Sequence, residues 1–102
     1  MTKPIPSARQ PLAGLEVVEL SNMITCSLAA QTMAAQGANV IKVERPDTGD
    51  SLRGMAWRDP RDGGGLWWKL VNRNKRNIAL DLKDTDDREL FLQLLDDANV
   101  LV

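Results

Sequence analysis

The chain has 102 residues, 43% of them hydrophobic and 26% charged, with a formal net charge of −1. That is room for one modest hydrophobic core in a globular chain, and the near-neutral balance gives no sign of a nucleic-acid partner. Histidine is absent and Cys26 is the sole cysteine. An intrachain disulfide, a cysteine-based metal cluster, the usual zinc sites and Ser-His or Cys-His nucleophile systems are therefore excluded from this stretch. No apolar run approaches the roughly 20 residues of a membrane-spanning helix, so no membrane partner is expected.

Residues 1–10 are polar, contain prolines and lack an apolar centre, and read as a flexible lead-in rather than a secretory signal. A cytoplasmic location is the default expectation. Leu15–Leu20 mixes apolar and polar strand formers and predicts a first strand, followed by a loop over Ser21–Cys26. Ser27 is placed to cap a helix running to about Gln36, with Leu28, Gln31 and Ala35 on one stripe. Gly37 then stands where a left-handed C-terminal cap belongs, and Asn39–Glu44 predicts a second strand. Strand, helix and strand in this short span form a βαβ unit, which implies parallel neighbours and a right-handed crossover.

Residues 45–65 hold two prolines and five glycines and show little periodicity. A loop of that length inside a domain is functional, mobile or pinned by a partner. Leu66–Val71 predicts a short helical turn carrying Trp67 and Trp68, and Asn77–Leu82 a third strand. Asp84 or Thr85 caps a further helix through about Asp97, with Asp86, Asp87 and Glu89 in its first turn. Its buried stripe is read as Leu90, Phe91, Leu94, Leu95 and Ala98. Asn99–Val102 opens a fourth strand. A parallel strand normally lies within a sheet that continues beyond it. Residues 11–102 are thus expected to be the N-terminal part of a larger α/β domain with a Rossmann-like parallel sheet, the alternative being a small domain with an apolar edge strand.

In such sheets ligands sit outside the carboxyl ends of the strands. Here those ends carry Ser21–Ser27, Glu44-Arg45 and Lys83-Asp84. A nicotinamide dinucleotide site needs a glycine-rich turn after the first strand, and Ser21–Ser27 contains no glycine. Arg45 is placed to bind a phosphate on an adenosine ribose, such as the 3′-phosphate of coenzyme A, or is an exposed loop arginine. Residues 42–83 contain ten Lys/Arg against six Asp/Glu, a local excess that fits either a small anionic ligand or a solvated surface. The cationic run Asn72–Arg76 reads as a solvated turn, with ligand contact as the alternative. Trp67 and Trp68 read as core or interface anchors, and Cys26 as an inert small apolar residue.

Four segments in register resemble the opening of the class III CoA-transferases, the group of formyl-CoA transferase, carnitine CoA-transferase and alpha-methylacyl-CoA racemase. They are Pro11–Leu20, Gly37–Glu44, Gly49-Asp50 with Arg53, and Asn74–Lys83. The resemblance implies a Rossmann-like large domain beside a smaller one, and a homodimer of interlocked chains. It implies no permanently bound cofactor, with coenzyme A or acyl-CoA and a carboxylic acid as substrates. For the CoA site it implies Ile24 and Thr25 in the loop after the first strand, Arg45 after the second, and Leu80, Asp81, Leu82 and Lys83 after the third. The transferase nucleophile of the family is an aspartate far downstream, so no catalytic residue is assigned within these 102 residues, which would be inactive alone.

The chain departs from the family where Cys26-Ser27 replaces a usual Gly-Pro pair. Racemases of the group have a shorter connection between the second strand and the Lys-Arg segment, so the long 45–71 stretch favours a transferase. The alternatives are a racemase or dehydratase-associated member, or, in another class, a non-catalytic nucleotide-binding or interaction module.

Overall fold

A computed structural model describes residues 10–102, so all of the expected lead-in except Gln10 lies outside the described residues. Four strands, β1 (Glu16–Glu19), β2 (Asn39–Glu44), β3 (Arg76–Ala79) and β4 (Val100–Leu101), form one parallel sheet in the order β3-β2-β1-β4. Three α-helices accompany them: α1 (Thr25–Ala35), α2 (Leu66–Val71) and α3 (Thr85–Asp96). This is the doubly wound α/β arrangement that the sequence predicts.

Apolar clusters lie on both faces of the sheet at β1 and β2, whereas all four residues of β3 are exposed. Val17 pairs in register with Val40, and both pack on Ala30, Ala34 and Ala38. Val18, Val43 and Leu80 face the other way and pack on Phe91 of α3. The α1 interface is built on alanines, whose short side chains let the helix lie close to the strands.

Helix α1 starts two residues earlier than the expected cap. Ile24 occupies the cap position without a side-chain hydrogen bond, and Ser27 is fully buried within the first turn. Its hydroxyl is drawn inward by Glu19 and Lys42 instead of capping the helix. The buried stripe is Ser27, Ala30, Gln31 and Ala34; Leu28 and Ala35, which share a turn-repeat with Gln31, are exposed. At the other end Gly37 has φ 101°, its N–H donates to Ala34 O, and the Ala38 N–H donates to Met33 O. That is a Schellman closure, which requires the left-handed backbone glycine adopts without strain.

The glycine-rich stretch 45–65 is pinned largely by its own hydrogen bonds. Asp50 caps a 3-10 helix over Ser51–Gly54, and Leu52 is fully buried beneath it. Arg58 donates to the carbonyls of Arg53, Gly54 and Gly63, and a bridge joins Arg58 to Gly65. Asp59 draws in Arg61 and Lys69, which hold its carboxyl well below the usual range. The expected turn over Leu66–Val71 forms as α2.

β3 ends at Ala79, short of the expected Leu82. The Leu80 N–H still donates to Glu44 O, but the Asp81 N–H turns away to the Asp87 carboxylate. Asp84 is the α3 cap, accepting from the N–H groups of Asp86 and Asp87. Phe91 is buried and Leu94, Leu95 and Ala98 are partly so, whereas Leu90, expected in the stripe, is 47% exposed. β4 is assigned to two residues, yet the bonds Asn99 N to Glu16 O and Val102 N to Val18 O extend its pairing across the predicted span. No described helix is long and apolar enough to cross a membrane, and no described group of three or more Cys, Asp or Glu could hold a metal.

Candidate functional site: a cleft at the strand ends

The carboxyl ends of β1, β2 and β3 open onto a cleft of about 560 Å³. Its walls are Leu20–Asn22, Val43–Asp50 and Leu80–Lys83, the three segments that follow these strands. Arg45, Leu80, Asp81, Leu82 and Lys83 of the expected site therefore line one space. Ile24 and Thr25 do not line it; they lie at the start of α1, with Ile24 half-buried and Thr25 exposed.

Most of the local positive charge is occupied within the chain. Lys42, Arg53, Arg61, Lys69 and Lys75 are ion-paired with carboxylates. Arg58 and Arg73 donate to backbone carbonyls, and Arg76 to the Asn39 side chain. Among the described residues, the remaining cations of residues 42–83 are Arg45 and Lys83, both exposed on the cleft wall. Asp47 and Asp81 share the rim, so an anion would be held at discrete cations and not by a uniformly positive surface.

The turn that carries Arg45 is anchored by its neighbour Glu44. Arg53 grips the Glu44 carboxylate with two hydrogen bonds, Nε at 2.7 Å and Nη2 at 2.8 Å. The Asp50 N–H donates to the same carboxylate at 2.8 Å, and Asn77 Nδ2 at 2.5 Å. Burial alone would raise the Glu44 pKa, but these donors, led by Arg53, outweigh it and bring it from 4.5 to about 2. Trp68 lies against the far side of Arg53, with the guanidinium carbon 3.8 Å from the ring centroid.

Below the cleft, on the α1 side of the sheet, lies a buried cluster of four charges. Lys42 contacts Glu19 and, at 2.8 Å, Asp50. Lys75 Nζ is 2.5 Å from the other Glu19 oxygen and donates to Ser27 O at 2.7 Å and Asn72 Oδ1 at 2.9 Å. All four charged side chains are fully or almost fully buried, and the cluster is neutral as two acids and two bases. For Asp50 the burial penalty is outweighed by Lys42 and by the N–H groups of Leu52 and Met23, and its pKa is lowered. Lys75, read as part of a solvated turn, belongs to this buried set.

The structure also places the cysteine and the tryptophans. Cys26, expected as an inert apolar residue, is exposed near the start of α1. Trp67 makes an edge-to-face contact with Trp57 at 6.0 Å, and Trp68 carries Arg53. The roles of Glu19, Lys42 and Asp50 are not legible in the sequence, although one signal is present: Lys42 falls inside a strand of the βαβ unit, and that strand lies between β3 and β1. A lysine there has to be buried and therefore paired.

Residues 12–102 match CoA-transferase family III. The chain belongs to this family. It is 37% identical over 105 residues to succinate–glutarate CoA-transferase of Agrobacterium fabrum, covering 96% of this chain and 26% of that one. With formyl-CoA:oxalate CoA-transferase of Escherichia coli O6:H1 it is 36% identical over 92 residues, covering 90% and 22%. A crystal structure of a CAIB/BAIF family protein from Brucella suis superposes with a TM-score of 0.83 at 34% identity, covering 91% of this chain and 25% of that one. The chain thus spans about a quarter of the length of these relatives.

Proposed function

We propose that the complete protein transfers coenzyme A between an acyl-CoA and a carboxylic acid, and that this segment supplies part of the CoA site. The observation that carries the reading is the placement of Arg45 and Lys83, the two described cations of residues 42–83 without a protein acceptor, on a strand-end cleft in a family III chain. Arg45 would take the ribose 3′-phosphate, while Lys83, with the backbone of Leu80–Leu82, would hold the remainder of the nucleotide. Ile24 and Thr25 would complete the site from the α1 side. Coenzyme A is a substrate in this reading and no resident cofactor is required.

The four buried carboxylates fit a structural role better than a nucleophilic one. Glu19, Glu44, Asp50 and Asp59 are each held by cations, which withdraws their lone pairs from attack. The nucleophile would be an aspartate beyond Val102. Its carboxylate would attack the acyl-CoA carbonyl and expel the CoA thiolate, leaving a mixed anhydride. The thiolate would then attack the anhydride at the enzyme's own carbonyl, release the acid and leave an enzyme–CoA thioester for the acceptor acid. A cytoplasmic homodimer of interlocked chains belongs to the same reading.

A racemase is the competing reading. The long connection Arg45–Val71 and the CoA-transferase relatives favour transfer. Incubating the full-length protein with acyl-CoA and an isotopically labelled acceptor acid decides between them. Label in the new acyl-CoA is expected; loss of stereochemistry at the acyl α-carbon without exchange would establish the racemase instead.

A further inference from the structure

The loop after β1 and the segment after β2 come from separate parts of the chain, yet they are fastened to one another along the cleft. Asn22 and Ser51 exchange two hydrogen bonds: Asn22 Nδ2 donates to Ser51 Oγ at 3.0 Å, and the Ser51 N–H donates to Asn22 Oδ1 at 2.8 Å. Beside them the Met23 N–H donates to Asp50 Oδ1 at 3.0 Å. Met23 has φ 69°, a left-handed backbone that a side chain disfavours, so this loop needs an external hold to keep its shape.

Asp50 is a well-supported anchor for that hold. Oδ1 also accepts from the Leu52 N–H at 2.9 Å, Oδ2 lies 2.8 Å from Lys42 Nζ, and the Asp50 N–H donates to Glu44. The Asp50 side chain is fully buried, while Asn22 and Ser51 are exposed. Asp50 therefore connects three parts of the site: its side chain holds the post-β1 loop and reaches the buried charge cluster through Lys42, and its backbone N–H holds the Arg45 turn through Glu44. Ser21, Asn22, Arg45 and Asp50 all line the cleft.

We infer that Asp50 and the Asn22–Ser51 pair form a clasp that fixes the post-β1 loop to the post-β2 turn, making Asp50 a positioning residue for coenzyme A. The inference rests on the reading of the cleft as a CoA site. The clasp contacts no 3′-phosphate; it sets the distance between two walls. Its loss should weaken every ligand of the cleft alike, whereas loss of Arg45 should weaken only ligands bearing that phosphate.

The test uses the full-length enzyme with Asn22→Ala and Asp50→Asn, and with coenzyme A and 3′-dephospho-CoA as probes. Asn22→Ala alters an exposed side chain and keeps the test available if Asp50→Asn fails to fold. Amide exchange across residues 21–25 is expected to accelerate about tenfold as local opening becomes easier. The Kd of both probes should rise by a similar factor of roughly 3–10, the range for one or two lost hydrogen bonds. A fold defect alone would reduce the fraction of active enzyme and leave the Kd of the remainder unchanged. Faster exchange in Asn22→Ala with unaltered Kd would overturn the clasp as a ligand-positioning device. So would a loss confined to the 3′-phosphorylated probe. If the wild-type enzyme binds neither probe, the reading of the cleft fails, and the clasp falls with it as a CoA device; unchanged exchange with intact wild-type binding overturns the clasp alone.

Discussion

Lys75 Nζ lies 2.5 Å from Glu19 Oε1 with neither side chain exposed, so a residue leading into β3 neutralises one at the end of β1 across the intervening strand β2. Burial lowers the Lys75 pKa, and Glu19 counteracts only part of that effect. The lysine stays useful because Lys42 alone would leave two buried carboxylates, Glu19 and Asp50, to share one cation.

Lys75→Met should therefore destabilise the full-length protein by about 3 kcal/mol, the lower end of what an uncompensated buried charge costs. Urea unfolding at neutral pH measures it. Glu19→Gln introduced into the Lys75→Met background should restore part of the loss, because the unpaired charge disappears with its partner. A double variant whose loss equals the sum of the single losses would show that the two charges are not coupled.

Glu44 gives the fold a defined weakness to acid. Its carboxyl titrates near 4.5 in the unfolded chain and at about 2 in the folded one, so the unfolded chain binds the extra proton first. The stabilisation is complete above about pH 4.5 and is lost as the pH falls toward 2, a contribution on the order of 3 kcal/mol. Glu44→Gln should flatten the stability–pH curve across that window relative to the wild type, as followed by denaturant midpoints from pH 5 to 2.5.

The elements were legible where apolar residues repeat on the expected period, and the charged cluster was not. In Glu16-Val-Val-Glu19 and Asn39-Val-Ile-Lys-Val-Glu44, the polar residues read as solvent-facing positions of half-buried strands. At β1 and β2 neither face is wet, and Glu19 and Lys42 are fully buried on the α1 side. The α1 stripe failed for a related reason: its inward residues are small or polar, Ser27, Ala30, Gln31 and Ala34, and its leucine points out. Rossmann strand-end logic did locate the walls of the cleft, because that rule depends on topology and not on the identity of each side chain. It could not show that Asp50, six residues beyond β2, would return to grip the loop after β1. That contact depends on the turn geometry of residues 45–49.

Arg45 and Lys83 are separable by ligand. Arg45→Ala should weaken coenzyme A by about 1.5–3 kcal/mol and leave 3′-dephospho-CoA nearly unaffected, if the cation reads that phosphate through a charge-assisted hydrogen bond. Lys83→Ala should weaken both ligands, since the proposed site sets it after β3 to hold the part of the nucleotide that both share. Calorimetric titration of the full-length variants separates the two patterns. Equal losses for both ligands on Arg45→Ala would remove the 3′-phosphate assignment.

Gly49 is where the Arg45 turn leaves least freedom. Its φ is +64°, and a Cβ there would stand 2.7 Å from Glu44 Oε2 and 2.9 Å from Arg53 Cδ. Gly49→Ala thus carries a left-handed backbone penalty of about 1–2 kcal/mol. It also forces the Glu44–Arg53 pair apart, because the new methyl occupies the space beside the carboxylate. Arg53 is part-exposed and can swing out, whereas Glu44, held by Asn77 and the Asp50 N–H, cannot follow. The expected outcome is a folded but less stable enzyme whose Glu44 pKa moves back toward 4.5, so that its acid transition is shallower than the wild type's between pH 4.5 and 2. A Gly49→Ala enzyme with an unchanged acid transition would show that the turn absorbs the methyl without disturbing the pair.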